Sequence, residues 1–304
     1  MIAYKDIRSQ LEEENAAILA VKRPTIGINK LVVEAPQTYF SYEELAKALS
    51  QKSGKLIEPL KIRDGLGINK ARLPTYSQSN VTLAANAIYK FIKSIVSNPD
   101  DKDKFFSEKP STIYYATESN PDFSRPEAEV ALGLVYSKLL EEDENRYRPY
   151  VEVLKNASLQ QNTFACAGAG LALSSALSEV YTGLSFDRAS SAIIISTDTA
   201  VYESKRAPNA ETTQGSAATL MWITTEPGLM SIDYSGTSGK FNLPFPDFTK
   251  FGFDTPFVHG KFSEKGYVYA VAMALENMEK KLAEDKGQAG IHAAGIISSE
   301  EIIK

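Results

Sequence analysis

The sequence predicts a layered α/β fold, in which helices cover both faces of a largely buried sheet. Short apolar runs typical of buried strands alternate along the chain with longer segments whose apolar residues recur at helical spacing. The chain has 304 residues, of which 43% are hydrophobic, so it can bury a large core. This length favours one large α/β unit or two smaller ones.

The predicted elements can be placed along the chain in order. Residues 1–23 predict a charged, partly amphipathic helix, which Pro24 ends. Strands are predicted at residues 26–33, 112–117, a segment ending near Cys166, 191–196 and 215–224. Further helices are predicted at residues 42–51, 82–97, 126–140, from the cysteine through about 181, and 263–282. Residues 98–104 are charged and contain proline, which favours a solvated loop.

Composition excludes several classes of protein. The net charge of −5 provides no basic surface for nucleic acid. A single cysteine excludes an internal disulfide and a multi-cysteine metal site, which fits a reducing compartment. The first twenty residues are charged throughout, unlike a signal peptide, and no run approaches the roughly 18 apolar residues of a membrane span. We therefore expect a soluble, cytoplasmic protein that binds neither nucleic acid nor membrane.

Cys166, the only cysteine, is the first candidate site residue. It lies where a β-type run meets a helix of small residues, with Ala165, Ala167 and Gly168 beside it. Backbone N–H groups and the dipole at a helix N-terminus lower the pKa of a thiol, which predicts a nucleophilic thiolate. The alternative is a buried structural cysteine, because free cysteine is among the most buried residue types.

Loops that follow the carboxyl ends of strands carry the candidate partners of the cysteine. Glu118 follows an apolar strand and is either a solvated turn residue or a general acid–base whose pKa burial has raised. Asp198 follows the next apolar strand and is expected to order its loop by accepting hydrogen bonds. Thr199 beside it, and Gly215 and Ser216 in a third loop of small residues, are expected to bind substrate or to order these loops.

Four motifs in this order resemble those of the 3-hydroxy-3-methylglutaryl-CoA (HMG-CoA) synthase family. They are Glu118 in Ala-Thr-Glu-Ser, Cys166 in its small-residue turn, a Thr-Asp-Thr-Ala segment and a Thr-Gln-Gly-Ser-Ala-Ala strand. The resemblance runs from Gly27 through Tyr267, and residues 258–263 are similar to the family's Asp-Gly-Lys-x-Ser turn. It implies a thiolase-like αβαβα layered fold built from two pseudo-duplicated halves. Residues 1–24 would be an N-terminal helical extension, 25–226 the first half with the nucleophile, and 227–304 the start of an incomplete second half.

The resemblance also implies a reaction of the mevalonate route. Cys166 would take the acetyl group of acetyl-CoA, and Glu118 would remove a proton from the acetyl methyl. The carbanion would add to acetoacetyl-CoA, and water would release the product. The family normally works as a homodimer without a metal or redox cofactor. Archaeal relatives assemble with a thiolase and a zinc-ribbon protein, so both are candidate partners.

The sequence departs from the family pattern near its end. The family's catalytic histidine, and later residues that bind acetoacetyl-CoA, would lie beyond Lys304. A truncated chain, an interrupted gene or a separate chain that supplies the remainder would each explain this ending, and the apolar residues Ile296, Ile297, Ile302 and Ile303 favour truncation. His259 and His292 are expected to be structural or solvent-exposed rather than replacements. Two other classes stay open. One is another thiolase-fold acyltransferase, such as a ketoacyl synthase of the initiating type, against which Glu118 argues. The other is a non-catalytic assembly subunit, against which the retained Cys166 and Glu118 argue.

Overall fold

The structure is a computed structural model that describes residues 25–120, 122, 124–185, 190–200, 211–232, 238–250 and 256–285. The helix predicted for residues 1–23 and His292 lie outside these residues. The strands are β1 Ile26–Glu34, β2 Tyr39–Ser41, β3 Lys70–Arg72, β4 Pro110–Ala116, β5 Ser158–Asn162, β6 Ser191–Thr199, β7 Ser216–Thr225, β8 Met230–Ile232, β9 Phe248–Thr249 and β10 Phe257–Val258. The helices are α1 Tyr42–Ser53, α2 Pro59–Leu66, α3 Asn80–Ser97, α4 Pro99–Ser107, α5 Glu127–Lys155, α6 Gly168–Ser185 and α7 Gly260–Asp285.

A six-stranded sheet in the order β5-β4-β6-β7-β1-β8 forms the centre of the fold. The first three strands of this order are parallel, whereas β7, β1 and β8 each run antiparallel to the strand before them. The carboxyl ends of β5, β4 and β6 therefore meet at the same edge of the sheet. This edge is where the sequence places its candidate residues.

Helices cover both faces of the sheet, as predicted. On one face α3 and α5 pack over a large apolar cluster around Trp222, Phe91 and Tyr115, all fully buried. On the other face α6 packs through Ala172, Ala176, Leu177 and Val180. The result is a helix–sheet–helix arrangement, the thiolase-like architecture that the sequence predicts. The division of the chain at residue 226 stays a prediction.

Residues 98–104 form the start of helix α4, so the prediction of a loop was wrong. Asn98 caps this helix by accepting a hydrogen bond from the backbone N–H of Asp101 at 3.1 Å. Pro99 occupies the first turn, where its missing N–H costs nothing, and Asp100 and Asp101 face the positive end of the helix dipole. The polar residues that suggested a loop are helix-start signals.

Other boundaries also differ from the sequence prediction. Helix α5 continues past residue 140 to Lys155, with a break at Asp143, whose φ of −163° and ψ of 92° are not helical. Strand β6 continues through Asp198 to Thr199, so Asp198 pairs within the sheet rather than following it in a loop. Strand β5 ends at Asn162, several residues before the cysteine.

In the part of the chain that the structure describes, no helix is both long and apolar enough to cross a membrane. The same residues contain no group of three or more His, Cys, Asp or Glu side chains that could hold a metal ion.

Candidate active site

Three sequence-predicted residues meet at the carboxyl edge of the parallel strands. In the register of the sheet, Ala116 at the end of β4 lies opposite both Asn162 of β5 and Ser196 of β6. Glu118 follows β4, Cys166 follows β5, and Asp198 lies near the end of β6. Parallel pairing therefore brings together side chains that are far apart in sequence.

Cys166 lies in a tight turn rather than at the first residue of a regular helix. Residues Ala165–Ala167 form a single 3₁₀ turn before α6, and the backbone N–H of Ala167 donates to the carbonyl of Phe164 at 3.0 Å. Ala165 has a φ of 29°, a conformation that costs a non-glycine residue free energy. Cys166 itself is exposed. The turn thus holds an accessible cysteine on a constrained backbone.

Gly168 lets this turn approach the end of β4 closely. A Cβ atom built on Gly168 would lie 3.2 Å from Cβ of Ala116, tighter than most contacts of this kind. The absence of a side chain therefore sets how near the cysteine turn lies to the strand that carries Glu118.

Cys166 and Glu118 line one cleft of about 700 Å³. Asn120 and Phe164 contribute to the same wall, from the loops that carry the two residues. The opposite wall comes from residues 243–250 and from helix α7, including Asp247, Lys250, Ser263 and Tyr267. A cleft of this size can admit a thioester and an acyl acceptor beside the sulfur.

The electrostatics of the cleft differ from the sequence expectation. The pKa of the Cys166 thiol is raised, not lowered, mainly because the cleft walls remove part of its hydration. The negative charges of Glu118, Asp198 and Asp247 raise the pKa further, in that order, and the backbone N–H of the cysteine lowers it. Lost hydration and the carboxylates around the sulfur therefore outweigh the peptide dipoles on which the prediction relied.

Asp198 holds the Glu118 loop in place. Its Oδ1 accepts hydrogen bonds from the backbone N–H of Glu118 at 2.7 Å, from Ser119 Oγ at 2.9 Å and from Thr117 Oγ1 at 3.0 Å. Burial raises the pKa of Asp198, and these hydrogen bonds act in the opposite direction. An acceptor-only oxygen with three donors fits an ionised carboxylate that orders a loop.

Thr199 ends strand β6, and Gly215 and Ser216 lie at the start of β7; none of the three lines the cleft. The backbone N–H of Thr199 donates to Ser119 Oγ at 3.2 Å, and Thr199 pairs with Ser216 across β6 and β7. The carbonyl of Gly215 accepts from Ala200 at 3.0 Å. These contacts support loop ordering, while substrate binding by these residues stays a prediction.

Residues 243–250 supply cleft residues that the sequence analysis missed. Lys250 Nζ donates to the backbone carbonyl of Glu118 at 3.3 Å, which ties this segment to the Glu118 loop. Asp247 adds a third carboxylate to the surroundings of the sulfur. The only sequence signal was an acid and a base on either side of Phe248, with no motif around them.

No histidine from the described part of the chain lines the cleft. His259 is exposed, and its backbone makes hydrogen bonds. Its backbone N–H donates to the carbonyl of Asp247 at 2.9 Å, and its carbonyl accepts from the backbone N–H of Ser263, at the start of α7, at 2.8 Å. Its imidazole therefore does not take the place of a catalytic histidine in this structure.

The fold and the cleft define a thiolase-like α/β protein, with a cysteine and a glutamate presented together at the carboxyl edge of parallel strands. Within that class the chain resembles HMG-CoA synthases. It is 29% identical over 254 residues to hydroxymethylglutaryl-CoA synthase of Haloferax volcanii, covering 84% of this chain and 49% of the relative. It is 25% identical to the Enterococcus faecalis enzyme, covering 86% of this chain and 58% of that one. The chain thus spans about half the length of the curated relatives it matches.

Solved structures share the fold. MvaS in complex with 3-hydroxy-3-methylglutaryl coenzyme A superposes with a TM-score of 0.69 at 23% identity, over 90% of this chain and 57% of that one. An HMG-CoA synthase complexed with CoA gives a TM-score of 0.64 at 22% identity, over 84% of this chain and 56% of that one. No family profile matches the sequence. The resemblance to HMG-CoA synthases and the thiolase-like fold are confirmed.

Proposed function

We propose that this chain carries the acetyl-transfer and proton-abstraction part of a condensing enzyme of the HMG-CoA synthase type. The observation that carries the proposal is that Cys166 and Glu118 line the same cleft, at the ends of neighbouring parallel strands. The overall reaction would join acetyl-CoA, acetoacetyl-CoA and water to form HMG-CoA and CoA. The curated relatives of this chain carry the same assignment.

In the first step the sulfur of Cys166 attacks the thioester carbonyl of acetyl-CoA. A new S–C bond forms, the bond to the CoA sulfur breaks, and the thiol proton ends on CoA. The backbone N–H of Cys166, within the 3₁₀ turn, would donate to the oxyanion of the tetrahedral intermediate. Acylation makes the cysteine sulfur neutral, so it also relieves the repulsion between a thiolate and the nearby Glu118, Asp198 and Asp247.

In the second step Glu118 removes a proton from the methyl group of acetyl-Cys166. The resulting enolate carbon attacks the ketone of acetoacetyl-CoA, and the new alkoxide takes up a proton. Water then hydrolyses the enzyme thioester, which frees a carboxylate and restores the thiol. A carbon acid is weak, so the base must be held in position, and the three hydrogen bonds to Asp198 hold this loop.

Two acetyl donors can be compared for the first step: acetyl-CoA and an acetyl-loaded acyl carrier protein. Among solved structures that share the fold, two hold HMG-CoA or CoA, and a curacin-pathway HMG synthase is in complex with an acetyl donor acyl carrier protein. The curated relatives favour acetyl-CoA as donor and acetoacetyl-CoA as acceptor for this chain. We propose that the reaction needs no metal or redox cofactor and takes place in the cytoplasm. A thiolase and a zinc-ribbon protein remain proposed partners.

A homodimer is also part of the proposal. Strand β5 ends the sheet on one side, so one row of its backbone donors and acceptors has no neighbouring strand within the described chain. A second copy of the same strand could pair with that row.

An intact-mass measurement after incubation with acetyl-CoA tests the first step. We expect one acetyl adduct on the parental chain and none on Cys166→Ala, with an acetyl-loaded carrier protein as the comparison donor. An adduct that persists in Cys166→Ala would overturn the assignment of the nucleophile. A Cys166-dependent adduct from the carrier protein alone would overturn acetyl-CoA as the donor.

A further inference from the structure

Behind the Glu118 loop, a chain of buried polar side chains leads away from the cleft to the first turn of helix α5. Glu127, Asn80 and Thr117 are each only 2% exposed. Asn80 begins helix α3, and Thr117 directly follows strand β4. Polar groups at this depth cost free energy unless each is hydrogen-bonded.

The first link of this chain joins Glu127 to Asn80. Nδ2 of Asn80 donates to Oε2 of Glu127 at 2.6 Å and to Oγ1 of Thr117 at 3.3 Å. A carboxyl oxygen accepts, so it turns the amide nitrogen of Asn80, rather than the amide oxygen, toward this side. One carboxyl therefore sets the orientation from which Asn80 donates to Thr117.

The second link fixes the direction of the Thr117 hydroxyl. Its Oγ1 accepts from Asn80 and from the backbone N–H of Ser119, the latter at 3.0 Å. The single hydroxyl proton is then directed to Oδ1 of Asp198, at 3.0 Å. The same oxygen of Asp198 holds the backbone N–H of Glu118 at 2.7 Å.

The orientation of Asn80 does not depend on whether Glu127 is ionised. Burial raises the pKa of Glu127, and the hydrogen bond from Asn80 lowers it by less. A protonated carboxyl keeps one oxygen free to accept, so Asn80 holds its orientation whether Glu127 is charged or neutral. The backbone N–H of Glu127 also donates to Oε1 of Gln161 at 2.7 Å, which connects the same site to strand β5 ahead of Cys166.

We propose that Glu127 is a positioning residue for the Glu118 loop: through Asn80 and Thr117 it fixes the direction of the hydrogen bonds that end on Asp198. The catalytic consequence rests on the proposed function, because it requires Glu118 to be the base. The hydrogen bonds that connect Glu127 to Asp198 do not depend on the proposed function.

Backbone hydrogen exchange of the Glu118 loop in the 304-residue chain tests the positioning role directly. Glu127→Leu removes the acceptor, so we expect the amides of Glu118 and Ser119 to exchange about tenfold faster, the loss of roughly one hydrogen bond. Glu127→Gln retains an acceptor oxygen and should exchange at the parental rate. Glu127→Met has a side chain of similar length without a carboxyl acceptor, and it repeats the test if the leucine variant does not fold.

Glu179→Leu is the matched control. Glu179 accepts from Thr112 Oγ1 and Tyr114 Oη, both at 2.8 Å, on strand β4 but on its other face. The Glu179→Leu variant should leave backbone hydrogen exchange of the Glu118 loop unchanged. If it accelerates exchange as much as Glu127→Leu, the effect is general loosening of β4 and the proposal is wrong.

A chemical measurement separates this inference from the proposed function. In Glu127→Leu we expect the acetyl adduct on Cys166 to form at the parental rate, while exchange of the acetyl methyl protons with solvent slows about tenfold and recovers in Glu127→Gln. Unchanged amide exchange in Glu127→Leu overturns the inference whatever the chemistry. Faster amide exchange with no adduct on the parental chain supports the positioning role and counts against the proposed function.

Discussion

At the scale of single residues, the surroundings of the sulfur decide its chemistry. The sequence correctly places Cys166 at a junction between strand and helix, but it predicts a lowered thiol pKa. The carboxylates that raise the pKa come from β4, β6 and the segment around Asp247, and no local pattern reveals that they converge. A pKa depends on three-dimensional neighbours, so the position of Cys166 was predictable and its ionisation was not.

The alkylation rate of Cys166 should follow this raised pKa. We expect the rate constant with iodoacetamide to rise with pH through a midpoint above 9.0, the ordinary value of the group. Glu118→Gln removes the largest charge contribution and should lower the midpoint. Glu129→Gln, on an exposed position of helix α5, is the control and should leave it unchanged. A parental midpoint below 9.0 would contradict the electrostatics described for the cleft.

The stability of the chain should depend on pH through Glu127. Its pKa is raised in the folded state, so its contribution is greatest at low pH and is lost as pH rises from the unfolded value of 4.5 through the folded value. Gln at this position does not titrate. We therefore expect the free energy of unfolding of Glu127→Gln, relative to the parental chain, to increase as pH rises from 4.5 to 7. Urea unfolding at several pH values measures this, and a difference independent of pH would contradict it.

At the scale of elements, strand and helix identities were predictable where periodicity is strong, and boundaries were not. Apolar runs located β1, β4, β6 and β7 within a few residues. Residues 197–199 appear loop-like in composition, yet pairing with β7 extends β6 through them. Tertiary pairing overrides composition at such ends. Helix α4 was missed for another reason, because its capping residues were assigned to a loop.

Gly168 provides an element-scale prediction about the cysteine turn. Gly168→Val should crowd Ala116, destabilise the chain by about 1–3 kcal/mol, and slow acetylation of Cys166 by shifting the turn. Gly170→Val makes the same change two residues along the helix, where a Cβ meets nothing within 4 Å. Its effect should be limited to helix propensity, below about 1 kcal/mol. Equal effects of the two variants on acetylation would contradict the role of close approach.

At the scale of the whole molecule, the cleft depends on parts of the chain that lie far apart in sequence. The loops after β4 and β5 form one wall, and residues 243–250 with helix α7 form the other. The first wall was predictable because parallel strands align their carboxyl ends. The second was not, because Asp247 and Lys250 carry no motif and reach the site only through tertiary packing.

The assembly state is a prediction at the same scale. If β5 pairs with its copy, the chain should sediment as a particle of twice its 33.3 kDa mass. Sedimentation velocity across a range of concentrations measures this. A species that stays at the single-chain mass at every concentration would contradict the proposed homodimer.

The central claim is that Cys166 and Glu118 act on the same acetyl group in one cleft. Its most direct test is incubation of the chain with acetyl-CoA deuterated at the methyl group, followed by intact mass over time. We expect a Cys166-dependent adduct whose mass falls as solvent hydrogen replaces deuterium, and a Glu118→Gln adduct that forms but keeps its deuterium. Loss of deuterium at the parental rate in Glu118→Gln would contradict the account.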